Sequence, residues 1–574
     1  MQPKFKQNHL FILFLLALSF VFISCGTEHR AMADTAVPQD TTGNPTIVVD
    51  ATDAGTAVDP RVRGTNLPAW LGPDRTEDTT FIARTKAAQP TVIRIPGGSW
   101  SNGYNWLACE RGTDIEGNAS CDSYGWGLAP TDFINFIREI GADGMYTVNQ
   151  NGTSKEAAAL VAFFNGSVSD DRTIGVDVRG NDWGKVSDWA KLRRDNGNPT
   201  PLGLKYWEIG NETYGGDPAS GTDCWEFGWE GVWTCDGTEY VNGVNQHEGF
   251  IEFRDMMRWV DSTIEVGAVG VAEQGSWSNW GNEVISAAGD EMDFYIIHEY
   301  GFWNPPDNNA EILAQPQGEW TAIMADVQAS IDANAGGRDI PITVTEYNLF
   351  SWEDMDTEQK MLRVVNMLFM ADTMGQLLEN GYDIATHWNL ANGQGSTGTD
   401  YGMLDADDYH RNPQYYAFPM WAKFGDTMLP VTNPYSASSQ LSVYAGRVDA
   451  DTISVLAINK TGNSITTDIQ LDGYGCVAGG TADVAQGSTL NAQTATFNGA
   501  SNPANDLSDA PPTTISPSKS PLAYTFPKYS ITVLLLDVSN PTAKPINDSS
   551  TVAPSGTVLD EFIYLPIVLN PESC

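Results

Sequence analysis

Between residues 45 and 429 the chain alternates short apolar runs with helical patterns, and that rhythm restricts it to few folds. The runs are "RGTNLPAW" (63–70), "TVIRIPGG" (91–98), "GMYTVNQ" (144–150), "LKYWEIGNE" (204–212), "IEVGAVG" (264–270), "DFYIIHEY" (293–300), "ITVTEYN" (342–348) and "IATHWNL" (384–390). Amphipathic segments lie between them. Thr131–Ile140 carries Phe133, Ile134, Phe136, Ile137 and Ile140 at helical spacing. Glu358–Leu378 repeats the pattern with Met361, Leu362, Val365, Leu368, Phe369 and Leu377. Such repeated strand–helix alternation predicts an α/β chain closed into a (β/α)8 TIM barrel. A doubly wound open sheet is the competitor. It would carry a Gly-rich phosphate turn after its first strand, and no such turn is present.

After about Leu429 the helical patterns stop. "LSVYAGRV", "TISVLAINK", "SITTDIQL" and "SITVLLLDV" are short strands separated by Gly, Asn and Asp turns. They predict an accessory C-terminal β-sandwich, and "TIVVDAT" (46–52) is a candidate to join it. At the other end, Lys4 and Lys6 precede the apolar run "LFILFLLALSFVFI" and then "SCG". That pattern resembles a bacterial lipoprotein signal with Cys25 as the lipidation site, although Phe22 stands where such signals prefer Leu. The expected organisation is a signal peptide over 1–25, a flexible tether over 26–44 and the catalytic barrel over 45–429. The sandwich follows over 430–540, and a Pro/Ser-rich tail with an apolar terminus over 541–574. The expected location is extracellular or cell-surface, with possible membrane attachment through a lipid on Cys25.

The 574 residues hold 31 Lys+Arg against 73 Asp+Glu, a net charge of -42. That field repels nucleic acid, anionic lipid surfaces and polyanionic substrates, and suits a neutral ligand. Outside the cytoplasm, Cys109 with Cys121 and Cys224 with Cys235 read as local disulfides that staple long loops. Whether Cys476 and Cys574 pair is open. No metal or cofactor is implied: beyond the signal and tether the only histidines are His247, His298, His387 and His410, with no HExxH.

In a barrel of this kind the chemistry sits at the C-terminal strand ends. The second run ends in Arg94 and then Pro96, Gly97, Gly98, Ser99 and Trp100. The fourth ends in Asn211 and Glu212, the sixth in His298, Glu299 and Tyr300. The seventh ends in Glu346, Tyr347 and Asn348, and the eighth in His387, Trp388 and Asn389. Glu212 and Glu346 therefore face each other across the mouth. A carboxyl pair about 5–5.5 Å apart is the machinery of retaining glycoside hydrolysis, one acid protonated and the other ionised. Positions 208, 210 and 212 share a strand face, so alternation separates Glu208 from Glu212 only weakly. Depth favours Glu212, leaving Glu208 as a structural acid paired with an Arg such as Arg94. The competing reading of Glu212 and Glu346 is a pair of buried salt-bridged acids. For His298 and His387 it is a role in holding loops.

"WEIGNE" followed by "TEYN" resembles the retaining glycoside hydrolases of clan A, which are (β/α)8 barrels. The resemblance implies Glu212 as acid/base, Glu346 as nucleophile and Asn211 on the sugar 2-hydroxyl. It also implies Tyr300 steadying the nucleophile and Trp388 as the aromatic floor. Within the clan, "RIPGGSWSNGYNW", "MADTMGQLLENGYDIA" and "YYAFPMWAKFGDTMLPV" are similar to family 51 α-L-arabinofuranosidases. Two positions depart from that family. Ser99 stands where Asn is usual, and the first run offers only Asn66 where a Glu is usual. Both concern the sugar pocket, so arabinofuranose is the less secure part of the expectation.

Tryptophans cluster in the expected mouth loops: Trp100, Trp106 and Trp126, then Trp225, Trp229 and Trp233, then Trp277, Trp280, Trp303 and Trp352. Indole faces stack on pyranose rings, which suits a long glycan; large loops also need aromatic anchors of their own. The expected substrate is a plant polysaccharide or oligosaccharide. The expected activity is α-L-arabinofuranosidase-like, with an endo-acting β-1,4-glucanase or xylanase as the alternative. A non-catalytic surface carbohydrate-binding protein is a second alternative.

Overall fold

Eight parallel strands pair in sequence order and close when the last meets the first. They are β1 (Gly64–Asn66), β2 (Val92–Ile95), β3 (Asp143–Val148), β4 (Tyr206–Ile209), β5 (Glu265–Val269), β6 (Phe294–Phe302), β7 (Ile342–Phe350) and β8 (Ile384–His387). The structure, a computed structural model, describes residues 43–538 except 120, 122–125, 217–223 and 225–229. Cys25, the signal segment, the tether up to residue 42, the tail from 541, Cys574, Trp225 and Trp229 lie outside the described residues. All eight strands fall where the apolar runs predict them. β8 closes on β1 through Thr386 opposite Gly64 and His387 opposite Thr65.

Inward positions two residues apart stack in layers, as the strand period requires. The lower layer is apolar: Val92, Met145, Tyr206, Phe294, Ile296 and Ile384 form one buried cluster. One step further along the same strands come Arg94, Thr147, Glu208, His298 and Thr386. The lower end is thus a plug and the upper end a polar floor. β6 and β7 are nine residues each and run past the barrel rim. Their pairing shifts register between Ile297 and His298, which sets His298 opposite Glu346 and Tyr300 opposite Asn348. That irregularity brings the two strand ends into one site.

The helix expected over Thr131–Ile140 spans Pro130–Ile140. The one expected over Glu358–Leu378 begins later, at Val364, and ends at Glu379. Asp356 is the reason. Its carboxylate accepts the backbone N–H of Lys360 (2.7 Å) and of Met361 (3.0 Å), which winds Lys360–Leu362 into a separate turn. The apolar residues of that turn imitate helical spacing without joining the helix.

The C-terminal strands form two main sheets, with a small antiparallel pair, Cys476–Val477 and Ser518–Lys519, beside them. One runs Val431–Thr432, Thr46–Val49, Ile465–Leu471, Leu522–Phe526, with Thr46–Val49 parallel to Ile465–Leu471. The other is centred on Gly479–Gly487, Ser530–Asp537, Thr452–Asn459 and Leu441–Asp449. The central strand Thr452–Asn459 is buried on both faces. Val455 and Ala457 face the first sheet, and Leu456 and Ile458 join the barrel core. That explains its unbroken apolar run. The helix Val364–Glu379 lies between barrel and sandwich, buried along nearly its whole length. Two disulfides, Cys109–Cys121 and Cys224–Cys235, close loops on the barrel.

One ion pair sits in that junction. Lys460 Nζ donates to Asp372 Oδ2 (2.6 Å), Leu313 O (2.7 Å) and Ala437 O (2.6 Å), with both charged side chains fully buried. Tyr444 OH donates to Asp372 Oδ1 at 2.8 Å. Removing one partner strands a buried charge, so Lys460→Met should destabilise the protein by about 3–5 kcal/mol. The double variant Lys460→Met/Asp372→Leu should lose much less. Urea unfolding midpoints of the two variants check this.

Candidate active site

Arg94 organises the floor of the barrel mouth. Its side chain is fully buried on β2, and its five N–H groups reach four partners. Nε donates to Glu208 Oε1. Nη1 donates to Asn66 Oδ1 (2.8 Å) and to Glu346 Oε1 (2.9 Å), and Nη2 donates to Asn211 Oδ1 (2.8 Å). Thr147 Oγ1 also donates to Glu208. Two buried carboxylates share one guanidinium, which satisfies charges that burial alone would not tolerate.

Glu212 lies above this layer. β4 ends at Ile209, Gly210 has φ +89° and Glu212 has φ +48°. The chain therefore leaves the strand path before Glu212, and the shared strand face expected for 208, 210 and 212 does not extend that far. A Cβ on Gly210 would stand 2.7 Å from Thr213 Cγ2 and 3.0 Å from Gln150 Oε1, so this turn requires glycine. Glu212 then meets His298, whose Nδ1 lies 2.9 Å from Glu212 Oε1 and 3.7 Å from Glu346 Oε2. His298 Nε2 lies 2.9 Å from Thr345 Oγ1. Tyr300 OH donates to Glu346 Oε2 at 2.7 Å. One atom each of Glu212, His298 and Glu346 lies within 4.8 Å of the other two. Such spacing would also suit a divalent cation, but the His298–Glu212 hydrogen bond and the His298–Glu346 ion pair already account for their grouping.

These side chains open on a cavity of about 730 Å³. Of the residues expected to contact substrate, Ser99, Asn211, His298, Tyr300 and Trp388 line it, with Glu212 and Glu346. Trp388 lies over Gly98, where an added Cβ would come within 2.3 Å of the indole. Arg94, Asn66 and Trp100 are not in the lining. Arg94 lies beneath it. Asn66 turns its amide nitrogen to the carbonyls of Thr345, Thr386 and His387. Trp100 packs edge-on against Trp70 at 5.3 Å. His387 is fully buried, its Nε2 3.2 Å from Asn348 Nδ2, and burial pushes it down to about 3, so it stays neutral. The tryptophans divide. Trp106 and Trp280 are core residues, and Trp233 stacks on His247. Trp277, Trp303 and Trp352 line the cavity.

Tyr214, Glu230 and Tyr401 also line the cavity and went unread in the sequence. Glu230 is 1% exposed and accepts from Ser99 Oγ, Asn102 Nδ2 (3.0 Å) and Asn211 Nδ2 (3.3 Å). Burial, with the nearby charge of Glu212, pushes it up to about 8. Its one sequence signal is its place between Cys224 and Cys235, and a loop has no periodicity to say which side chain turns inward.

Burial raises Glu346, opposed by the charges of His298 and Arg94. Burial raises Glu212, but the hydrogen bond and charge of His298, the hydrogen bond of Tyr214 and the charge of Arg94 together lower it overall. Burial lowers His298, but the charge of Glu346 and the bond to Glu212 raise it overall. Their shifts depend on one another's charges, so the three groups titrate as one set.

The alpha-L-arabinofuranosidase 1 domain family matches residues 84–226. An intracellular exo-alpha-(1->5)-L-arabinofuranosidase 1 of Bacillus subtilis is 24% identical over 68% of this chain and 76% of its own length. An intracellular exo-alpha-(1->5)-L-arabinofuranosidase of Bifidobacterium longum is 25% identical over 47% of this chain and 44% of its own. The structure of an alpha-L-arabinofuranosidase from Thermotoga maritima in complex with arabinose superposes with a TM-score of 0.64. It is 19% identical, over 86% of this chain and all of the other. Barrel, sandwich and these relatives together support a glycoside hydrolase similar to those of clan A. Within that clan the chain is most readily compared with the family 51 enzymes, which it resembles in fold and in sequence. The expectation of an extracellular or cell-surface location is corrected by the same comparison, since the relatives are named as intracellular enzymes. That expectation rested on an apolar run and Cys25, a compositional pattern that Phe22 fits poorly and that lies outside the described residues.

The hydrogen bond from Tyr300 lowers the proton affinity of Glu346. Tyr300→Phe removes it, so Glu346 should ionise at higher pH. If glycoside hydrolysis needs that carboxylate ionised, the acid limb of kcat/KM should move to higher pH. A pH profile on an aryl glycoside measures the shift.

Proposed function

We propose that the chain is an α-L-arabinofuranosidase-like hydrolase that retains anomeric configuration by double displacement. The supporting observation is the pair Glu212 and Glu346, with carboxyl oxygens within 4.8 Å of each other in one cavity. That spacing suits direct attack by one acid and leaves no room for the water an inverting enzyme places between its acids. Glu346 is the nucleophile. Arg94 and Tyr300 each donate to one of its oxygens and hold it ready to attack the anomeric carbon. Glu212 is the acid/base: it gives a proton to the departing oxygen, then takes one from the water that cleaves the glycosyl–enzyme ester. The proton reaches Glu212 through His298, 2.9 Å away. Asn211 offers its amide to the sugar 2-hydroxyl, and Trp388 forms the aromatic floor. The substrate is an arabinose-bearing plant polysaccharide or an oligosaccharide from one.

Glu346→Ala should lower turnover by at least about three orders of magnitude. Azide should partly restore it, giving a glycosyl azide of inverted configuration. Glu212→Ala should hurt poor leaving groups far more than activated aryl glycosides. Proton NMR of the first product should show retained configuration; inverted product would remove the double-displacement reading.

An endo-acting β-1,4-glucanase or xylanase is a second reading, and one observation favours it. Trp303 and Trp352 line the cavity yet are 56% and 51% exposed, edge to face at 6.0 Å. Exposed indoles at a cavity rim are platforms for further sugar rings. Trp303→Ala and Trp352→Ala should raise KM on arabinoxylan roughly tenfold and leave small aryl glycosides unchanged. Product sizing from arabinoxylan, β-glucan and carboxymethylcellulose separates exo from endo action. Binding without any release of reducing sugar would favour a non-catalytic carbohydrate-binding protein.

A further inference from the structure

Asn211 is held at every polar atom. Its backbone N–H donates to Asn102 Oδ1 (3.0 Å), and its carbonyl accepts from Asn102 Nδ2 (2.6 Å). Its side-chain oxygen accepts from Arg94 Nη2 (2.8 Å), and its side-chain nitrogen donates to Glu230 Oε2 (3.3 Å). The two ends of an Asn amide have nearly the same shape, so only their partners decide which end points where. Arg94 can only donate, which fixes the oxygen. The nitrogen is fixed by an acceptor, and that acceptor is Glu230.

Glu230 is itself pinned. The Ser99 hydroxyl donates to Oε1, and Asn102 Nδ2 donates to Oε2 at 3.0 Å. A proton on Glu230 would sit on Oε1, where the Ser99 hydroxyl can accept it. Oε2 then remains the acceptor for Asn211 in either protonation state. One hydrogen of the Asn211 amide goes to Glu230. Among the described residues the second has no acceptor, and Asn211 lines the cavity beside Glu212.

We infer that Glu230 is a positioning residue: it turns the Asn211 amide so that its second N–H meets the 2-hydroxyl of the bound sugar. The inference rests on the proposed glycosidase reading of this cavity. A hydrogen bond to the 2-hydroxyl strengthens as the transition state forms, so misplacing it lowers kcat more than it raises KM.

The test uses the full chain with two probes: the 4-nitrophenyl glycoside that the wild type hydrolyses best, and its 2-deoxy counterpart. Glu230→Ala should lower kcat/KM on the parent roughly tenfold or more, mostly in kcat. On the 2-deoxy probe, which has no hydroxyl to misplace, the loss should be under about twofold. Glu230→Gln places an amide oxygen at Oε2 and an NH2 group toward Ser99, so it should stay close to wild type on both. Glu230→Met, which keeps side-chain volume, takes the place of the Ala variant if that one does not fold. Equal losses on both probes would mean a merely structural role and overturn the inference. So would no loss at all, or a Gln variant as impaired as the Ala variant. Glu346→Ala in the same series keeps the two ideas apart. If it is inactive, any failure belongs to Glu230 alone; if it turns over normally, the glycosidase reading falls and takes the inference with it.

Discussion

The guanidinium of Arg94 is the interaction on which the site depends. One fork of donors holds Glu208 from β4, Glu346 from β7, Asn66 from β1 and Asn211 after β4. A lysine ammonium could not reach these partners in one plane. The cost of burying two carboxylates is offset only because each has this partner, and removing it would leave both uncompensated. Asn66 is therefore part of the floor, committed to Arg94 and three carbonyls, and not part of the sugar pocket.

The barrel makes this floor possible by sorting its interior. Apolar side chains fill the lower layer, so the polar residues one step higher rest on a packed base and face the open end. β6 and β7 then carry His298, Tyr300 and Glu346 past the rim, and their register shift turns the three toward one another. The sandwich supports the same arrangement from outside. Its central sheet is apolar on both faces, and one face packs through the helix Val364–Glu379 onto the barrel.

The strands were legible because parallel strands buried on both faces read as continuous apolar runs. That Glu212 and Glu346 would meet in one cavity was legible because both stand at the C-terminal ends of such runs. Local detail was less so. Alternation misjudged the end of β4, because the positive φ of Gly210 and Glu212 breaks the strand path. Periodicity began the helix after β7 too early, because the carboxylate of Asp356 winds a separate turn there. Tyr214, Glu230 and Tyr401 reach the cavity from segments that follow the barrel strands, and no spacing marks them. Trp106 and Trp280 lay in expected mouth loops yet became core, since an indole serves an anchor and a platform equally well in sequence.

The charges of the site fit the reaction better as a set than as single residues. Glu208 and Glu346 share the Arg94 guanidinium, and Glu212 and Glu346 lie beside His298. Glu230 is held by the neutral donors Ser99, Asn102 and Asn211, and burial beside Glu212 keeps a proton on it near neutral pH. On the proposed reading, moving a proton from His298 to Glu212 loads the acid and leaves the total charge of the site unchanged. An oxocarbenium-like transition state places positive charge at the anomeric carbon, beside Glu346. A protonated Glu230 adds no further negative charge to compete with Glu346 for that carbon, and an ionised one would push Glu212 upward, against its net lowering, by like-charge repulsion. The raised proton affinity of Glu230 and the roles proposed for Glu212 and Glu346 are in this sense one electrostatic arrangement.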